Sequence, residues 1–126
     1  MLNKDTKELL KFNAQGVALE DMWTNAKKAC IKEVDAFVEK HGETMYCGFA
    51  NVLITPARGP MVQFLKKMGI GSNGTYGGWR ISWYEIMGDH KLSYTQSMDV
   101  KETGCQAFAK SLEKYGIEAY MESRPD

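Results

Sequence analysis

Residues 46–56, YCGFANVLITP, carry the strongest fold signal in the chain. Their β-branched and aromatic side chains favour a buried strand. The strand is expected to end at Thr55-Pro56, because proline cannot donate the hydrogen bond that a sheet ladder needs. Gly59-Pro60 then opens a short helix, since proline suits the first helical turn, and Gly69 closes it. The stretch therefore predicts a buried strand followed directly by a helix.

On the N-terminal side, apolar residues recur at helical spacing across residues 17–41. This spacing predicts one long helix of about seven turns that ends at Gly42. A short helical turn is also predicted at residues 6–11. The long helix carries more apolar surface than one small sheet can cover, which favours contact with a partner.

On the C-terminal side, residues 69–78 are rich in glycine and predict a mobile loop. Alternating apolar and polar residues then predict two strands, at 79–86 and 92–98. A turn at Gly88-Asp89 would join them into an antiparallel hairpin.

The last segment predicts one more helix and one more strand. Asp99 and Glu102 resemble a capping box that opens the helix, and Gly116 stops it. Residues 117–122 alternate as a strand. The resulting order is a long helix followed by β-α-β-β-α-β, which predicts an α+β, ferredoxin-like fold with an antiparallel sheet. Both crossover helices would lie on one sheet face, leaving the other for the long helix, a ligand or a second subunit.

Length and composition predict a single globular domain. The 126 residues comprise a predicted N-terminal helical segment, 1–42, and an α/β sandwich, 43–126. Sixteen basic and sixteen acidic residues balance, which argues against binding duplex DNA through many phosphate contacts. The longest apolar runs fall far short of the ~20 residues that span a bilayer, so no membrane partner is expected and the cytoplasm is the predicted compartment.

The reactive side chains do not form a familiar catalytic or metal-binding pattern. Cys30, Cys47 and Cys105 show no Cys-x-x-Cys spacing and are interpreted as reduced structural thiols. His41 and His90 are not placed with a serine, cysteine or paired carboxylate in a recognisable order. We therefore expect no metal, no cofactor and no enzymatic activity, although distant residues can still assemble in space.

Arginine use points instead to an anion site. The chain has three arginines, Arg58, Arg80 and Arg124, and all lie in irregular or strand-like segments. The guanidinium fork suits two-point contacts with phosphate, whereas lysine is a hydrated point charge. Arg58 lies where a strand ends and a helix begins, which adds free backbone donors; a surface ion pair is the competing interpretation. Arg124 follows the last predicted strand, where a frayed tail is the competing interpretation.

Aromatic residues surround Arg80 in the sequence. Tyr76 and Trp79 are candidate stacking plates for a base, and Arg80 could add phosphate contacts. The Trp79-Ile81-Trp83 alternation is more often a core face, however. Gln96 and Ser97 could supply hydrogen bonds from the partner strand.

The glycines at 69–74 formally match a dinucleotide-binding pattern. They follow a helix and lead to a strand, which is the reverse of the required context. A Rossmann-type site is therefore not expected.

Several short blocks from Gly48 onward resemble a phage-encoded family, the first-described Thoeris anti-defence sponges. The blocks are GFANVLITPAR (48–58), FLKKMGIG (64–71), YGG (76–78), QS (96–97), KE (101–102), AFA (107–109) and SRPD (123–126). The resemblance implies a protein that sequesters a cyclic ADP-ribose immune signal without cleaving it. It also implies dimers or higher homo-oligomers, and capture of cyclic oligonucleotides by some members. Pro125 departs from the pattern of these tails.

Three other functions stay open at this stage. The long helix and a methionine-rich surface of Met61, Met68 and Met87 could form the contact surface of a host-protein inhibitor. An open aromatic sheet face could bind single-stranded nucleic acid, although the neutral charge argues against it. An enzyme that alters a nucleotide is the third alternative. On the sponge interpretation, the predicted ligand-binding residues are Arg58, Tyr76, Trp79, Arg80, Gln96, Ser97 and Arg124.

Overall fold

The computed structural model describes residues 18–126, so the turn predicted at residues 6–11 lies outside the described residues. Within the described part, an α+β fold combines helices with one sheet. The helices are α1 (Leu19–His41), α2 (Pro60–Lys67), α3 (Trp83–Met87), a 3-10 helix (Lys91–Tyr94) and α4 (Met98–Glu113). The strands are β1 (Gly48–Ile54), β2 (Ser72–Asn73), β3 (Trp79–Ser82) and β4 (Ala119–Pro125).

The four strands form one sheet in the order β2-β3-β1-β4, and each neighbouring pair is antiparallel. The long first helix, the antiparallel sheet and the α+β class predicted from the sequence are thus confirmed. β1 lies in the middle of the sheet and pairs with β4 over its whole length, from Gly48↔Pro125 to Ile54↔Ala119. β4 and the short β2 are the two edges.

The core lies between one face of the sheet and the helices. Ala50, Val52 and Ile54 of β1 are buried there, in one cluster with residues of α1, α2, α3 and α4. α1 packs closely on α4, because Gly104 has no side chain: a Cβ on it would lie only 2.7 Å from atoms of Trp83 and Val34. The buried side chains of α1, from Leu19 to Val34, are part of the same core cluster. Among residues 18–126, no helix combines the length and apolar character needed to cross a bilayer.

The predicted hairpin between residues 79–86 and 92–98 is wrong. β3 stops at Ser82, whose hydroxyl accepts a hydrogen bond from the Glu85 N–H at 3.2 Å, while Glu85 accepts from the Ser82 N–H at 3.0 Å. This reciprocal capping box starts α3. The second predicted strand is replaced by the 3-10 helix and the start of α4. β3 instead forms a hairpin with β2, inside the segment predicted to be a glycine-rich loop.

Two further boundaries differ from the sequence prediction. The N-cap of α4 is Ser97, whose hydroxyl accepts from the Val100 N–H, so Asp99 is the second residue of the helix and not its cap. The last strand runs to Pro125, which places Arg124 within β4 and not after it. Proline is tolerated there because β4 is an edge strand.

Candidate functional site

The sheet has a second face, opposite the core, that carries polar and aromatic side chains. Side chains alternate between the two faces along a strand, and directly paired residues share a face. Phe49 and Asn51 of β1 therefore share this face with their β4 partners Arg124 and Glu122. Arg80 joins them from β3 as the partner of Leu53. We call this the open face.

A cavity of about 450 Å³ lies on the open face. This volume is in the range of small-molecule sites. None of its lining residues belongs to a helix; they come from β1, β3, β4 and the turn between β2 and β3. They are Phe49, Asn51, Thr75, Tyr76, Arg80, Glu122, Ser123 and Arg124.

A second cavity of about 360 Å³ adjoins the first. The two share four lining residues, which are Thr75, Tyr76, Arg80 and Glu122. The second cavity extends past Tyr120 to the loop that follows β1, including Pro56 and Ala57. The two cavities therefore meet at these four residues.

Arg80 lies at the junction of the two cavities and is held in place. Its Nε donates to Oε1 of Glu122 at 2.8 Å, and its Nη2 donates to the Thr75 hydroxyl at 3.2 Å. The Arg80 side chain is 29% exposed and the Glu122 side chain 35%. A guanidinium fixed in this way presents its remaining donors to the cavity without needing to be ordered by a ligand.

Arg124 and Phe49 form a second charged and aromatic unit. The guanidinium carbon of Arg124 lies 5.3 Å from the centre of the Phe49 ring, within the range of a cation–π contact. Phe49 is 39% exposed, so part of the ring is available to a ligand. The pair lines the first cavity and offers a flat apolar surface next to a positive charge.

Tyrosines contribute further aromatic surface. Tyr76 is fully exposed at the tip of the β2–β3 hairpin and lines both cavities, and Tyr120 lines the second. Gly78 in this tip has φ +79°, and a Cβ there would lie 2.8 Å from Cγ of Leu53. Close packing of the glycine backbone on Leu53 thus fixes the base of the hairpin that carries Tyr76.

Three of the seven residues predicted from the sequence line the first cavity: Tyr76, Arg80 and Arg124. Trp79 lies elsewhere, because its side chain points to the core. It is 8% exposed, and its indole N–H donates to the Ile70 carbonyl at 3.0 Å. The core interpretation of the Trp79, Ile81 and Trp83 alternation is confirmed, since all three are buried.

Arg58, Gln96 and Ser97 also lie outside the residues that line the two cavities. Arg58 is exposed just before α2, next to Ala57 of the second cavity. Gln96 has an exposed side chain, and its carbonyl accepts from the Gly48 N–H at 3.2 Å. Ser97 is 2% exposed, and its hydroxyl caps α4 and lies 2.8 Å from that of Thr44.

Sequence reasoning missed part of the site. The cavity residues that it did not name are Phe49, Asn51, Thr75, Glu122 and Ser123. The alternation of Gly48, Ala50, Val52 and Ile54 with larger or polar residues was the available signal, because it marks Phe49 and Asn51 as members of the opposite face.

The site is chemically suited to binding an anion with hydroxyl groups. Two guanidinium groups can contact phosphate, while the Glu122 carboxylate and the Asn51 amide can accept hydrogen bonds from hydroxyls. No histidine, cysteine or lysine lines either cavity. Within residues 18–126, no three His, Cys, Asp or Glu side chains are grouped so that they could hold a metal ion.

Comparisons with protein-family models, curated proteins and solved structures find no match to this chain.

Proposed function

We propose that this protein binds a cyclic ADP-ribose-type nucleotide on the open face and sequesters it without cleaving it. The observation that carries the proposal is the convergence of Arg80, Arg124, Phe49 and Tyr76 on one cavity of ligand size. Phosphate, a flat base and ribose hydroxyls are the groups that such a set recognises. The resemblance of the chain to the Thoeris anti-defence sponges supports the same ligand class.

In this proposal each part of the ligand has a partner of matching chemistry. The base stacks on Phe49 or Tyr76, whose exposed surfaces flank the cavity. The two phosphates contact Arg80 and Arg124. Ribose hydroxyls donate to the Glu122 carboxylate, which lines the cavity and whose Oε1 also accepts from Arg80.

The biological role follows from binding alone. A phage protein that holds the signal of a bacterial immune sensor keeps the effector of that system from being triggered. Such buffering requires a dissociation constant well below the working concentration of the signal; nanomolar binding corresponds to about −12 kcal/mol. The protein would act in the cytoplasm of the infected bacterium, as a dimer or a higher homo-oligomer.

The test is native mass spectrometry of the protein with cyclic ADP-ribose isomers and with cyclic di- and trinucleotides. Bound material is then released by heat and identified by chromatography. We expect one isomer to be retained in a fixed ratio to the chain and recovered unchanged. Recovery of a cleaved nucleotide would contradict sequestration and favour an enzyme. Retention of none of these compounds would contradict the proposal as a whole.

A second candidate function is binding of single-stranded nucleic acid. The observation that favours it is the sheet itself: a four-stranded antiparallel sheet with an aromatic residue, Phe49, on its central strand and an open face is a platform on which RNA bases stack. Glu122 within the site and the balanced net charge weigh against a polyanion. Binding of oligonucleotides that weakens steeply with salt would favour this function over the first.

A further inference from the structure

Lys101 is a buried lysine next to the open face. It lies on α4 and is 1% exposed, which is rare for a lysine. Its Nζ donates to the Gly48 carbonyl at 2.8 Å. Among the described residues, the Gly48 carbonyl is the acceptor of the hydrogen bond that the Lys101 ammonium group donates.

The position of Lys101 is explained by the early end of β3. The pairing of β1 with β3 begins at Asn51↔Ser82, so the first three residues of β1 have no partner in β3. The two backbone groups of Gly48 are instead satisfied by the Gln96 carbonyl, at 3.2 Å from the Gly48 nitrogen, and by the Lys101 ammonium. Lys101 thus replaces one donor of the missing strand and fixes the start of β1.

The ammonium group also lies close to two aromatic rings. Its Nζ is 5.3 Å from the centre of the Phe49 ring and 5.9 Å from that of Tyr84. Arg124 approaches the same Phe49 ring at 5.3 Å. Phe49 is therefore contacted by a buried cation from α4 and by an exposed cation from β4, so its ring is held by charge as well as by packing.

The surroundings of the ammonium group are weakly polar. Desolvation by burial lowers the pKa of Lys101, and the negative charge of Asp126 opposes that shift. Cys47 and Cys105 act in the same direction as Asp126. A buried charge with one hydrogen-bond acceptor among the described residues is costly to desolvate. The charge contacts the Gly48 carbonyl and the Phe49 ring, so both are candidates for what it holds in place.

We infer that Lys101 is a positioning residue of the open-face site, which holds Phe49 in the orientation that a ligand base requires. This inference rests on the proposed function for its effect on binding. Its effect on Phe49 itself does not require a ligand. The two can therefore be tested separately on the full chain.

The first experiment follows the ring resonances of Phe49 by NMR, without ligand, in the wild type and in Lys101→Met and Lys101→Gln. Lys101→Gln retains a donor for Gly48, and Lys110→Met removes an exposed lysine from the same helix as the control. We expect both Lys101 variants to shift the Phe49 resonances and the control to leave them unchanged. Unchanged resonances in a folded Lys101 variant would overturn the inference.

A titration of the wild type covers the case in which neither variant folds. The Phe49 resonances should shift as rising pH removes the Lys101 proton. The titratable groups facing that ammonium, which are Asp126, Cys47, Cys105 and Tyr84, are distinguished by following the Lys101 side-chain resonances in the same samples. A Phe49 shift that does not follow Lys101 would overturn the inference.

The second experiment measures binding of cyclic ADP-ribose by calorimetry between pH 6 and 10. We expect Lys101→Met to bind about tenfold more weakly, an effect between those of an exposed and of a fully desolvated cation–π contact. The wild-type affinity should fall as Lys101 loses its proton, and the variant should lack that step. Wild-type affinity in Lys101→Met would overturn the role in binding. If the wild type binds no cyclic ADP-ribose, the proposed function has failed for this probe, and the ring resonances alone decide whether Lys101 positions Phe49.

Discussion

The Nε of Arg80 donates to Oε1 of Glu122 at 2.8 Å, although the two residues lie on strands separated by β1. The contact is possible because Arg80 pairs with Leu53 and Glu122 pairs with Asn51. Asn51 lies two residues before Leu53 in β1, on the same face of the sheet. The side chains thus reach diagonally across the middle strand. They fix a guanidinium group above a surface that the strands alone would leave flat.

Arg80→Ala should weaken binding of cyclic ADP-ribose by roughly 1.5–3 kcal/mol, the range of a hydrogen bond to a charged group. The stability cost should be below about 1 kcal/mol, because the Arg80–Glu122 pair is partly exposed. Calorimetry and thermal unfolding measure the two effects. Lys67→Ala, which removes one exposed positive charge from the end of α2, is the control. Equal affinity in Arg80→Ala and Lys67→Ala would contradict a phosphate contact at Arg80.

Phe49→Leu should weaken binding of the same nucleotide by about 1–3 kcal/mol, the contribution of one aromatic plate stacked on a base. Leucine keeps the apolar character of the position but removes the flat ring. Tyr94→Leu is a matched control, because Tyr94 is an exposed aromatic residue outside both cavities. If the two variants bind alike, the base does not stack on Phe49.

Ser97→Ala should destabilise the fold by about 1–2 kcal/mol, because its hydroxyl caps the N-terminus of α4. Urea unfolding measures this loss, and Gln96→Ala, at the exposed neighbouring position, should leave the unfolding midpoint almost unchanged. The sequence also predicted Ser97 as a ligand contact. A large loss of affinity in Ser97→Ala with unchanged stability would favour that role over the cap.

Much of the fold was predictable because local signals and the final structure agree. Helical spacing located α1, and the proline positions located the end of β1 and the start of α2. Alternation failed after Ser82, where the same residues also fit a short helix: Trp83, Ile86 and Met87 are buried on one side of α3. The Ser82 and Glu85 capping box decided between the two structures, and it was the signal that the strand interpretation missed.

The candidate site was harder to predict, because a face is defined by strands that are distant in sequence. The pairing of Phe49 with Arg124 depends on the register of β1 and β4, which no local pattern of either strand specifies. The prediction that Arg124 follows the last strand came from the alternation, which was assigned only to residues 117–122. The strand in fact continues to Pro125, because a proline is tolerated at the edge of a sheet. Whether Pro125 can belong to a strand thus depends on the position of that strand in the sheet, and not on residue type alone.

The stability of the fold should fall at alkaline pH because of buried thiols. Burial raises the pKa of Cys30 from about 9 to about 12; the negative charge of Asp35 adds to the shift and Lys27 opposes it. The unfolded thiol therefore ionises first, and the unfolded state binds fewer protons than the folded state once the pH exceeds about 9. Each pH unit between these two values should remove about 1.4 kcal/mol of stability through this group.

Cys30→Ala isolates this effect, because the variant lacks the thiol but keeps the other titrating groups. It should be less stable than the wild type at pH 8, since it leaves a cavity in the core. The difference in unfolding free energy should then shrink as the pH rises from 9 to 11, as measured by urea unfolding at each pH. Burial raises the pKa of Cys105 as well, and the negative charge of Cys30 adds to that shift, so the variant keeps the larger part of the Cys105 contribution and loses the part that Cys30 supplies. Cys47→Ala removes an exposed thiol and is the control. A difference between the wild type and Cys30→Ala that stays constant with pH would show that Cys30 ionises as easily in the folded chain as in the unfolded one.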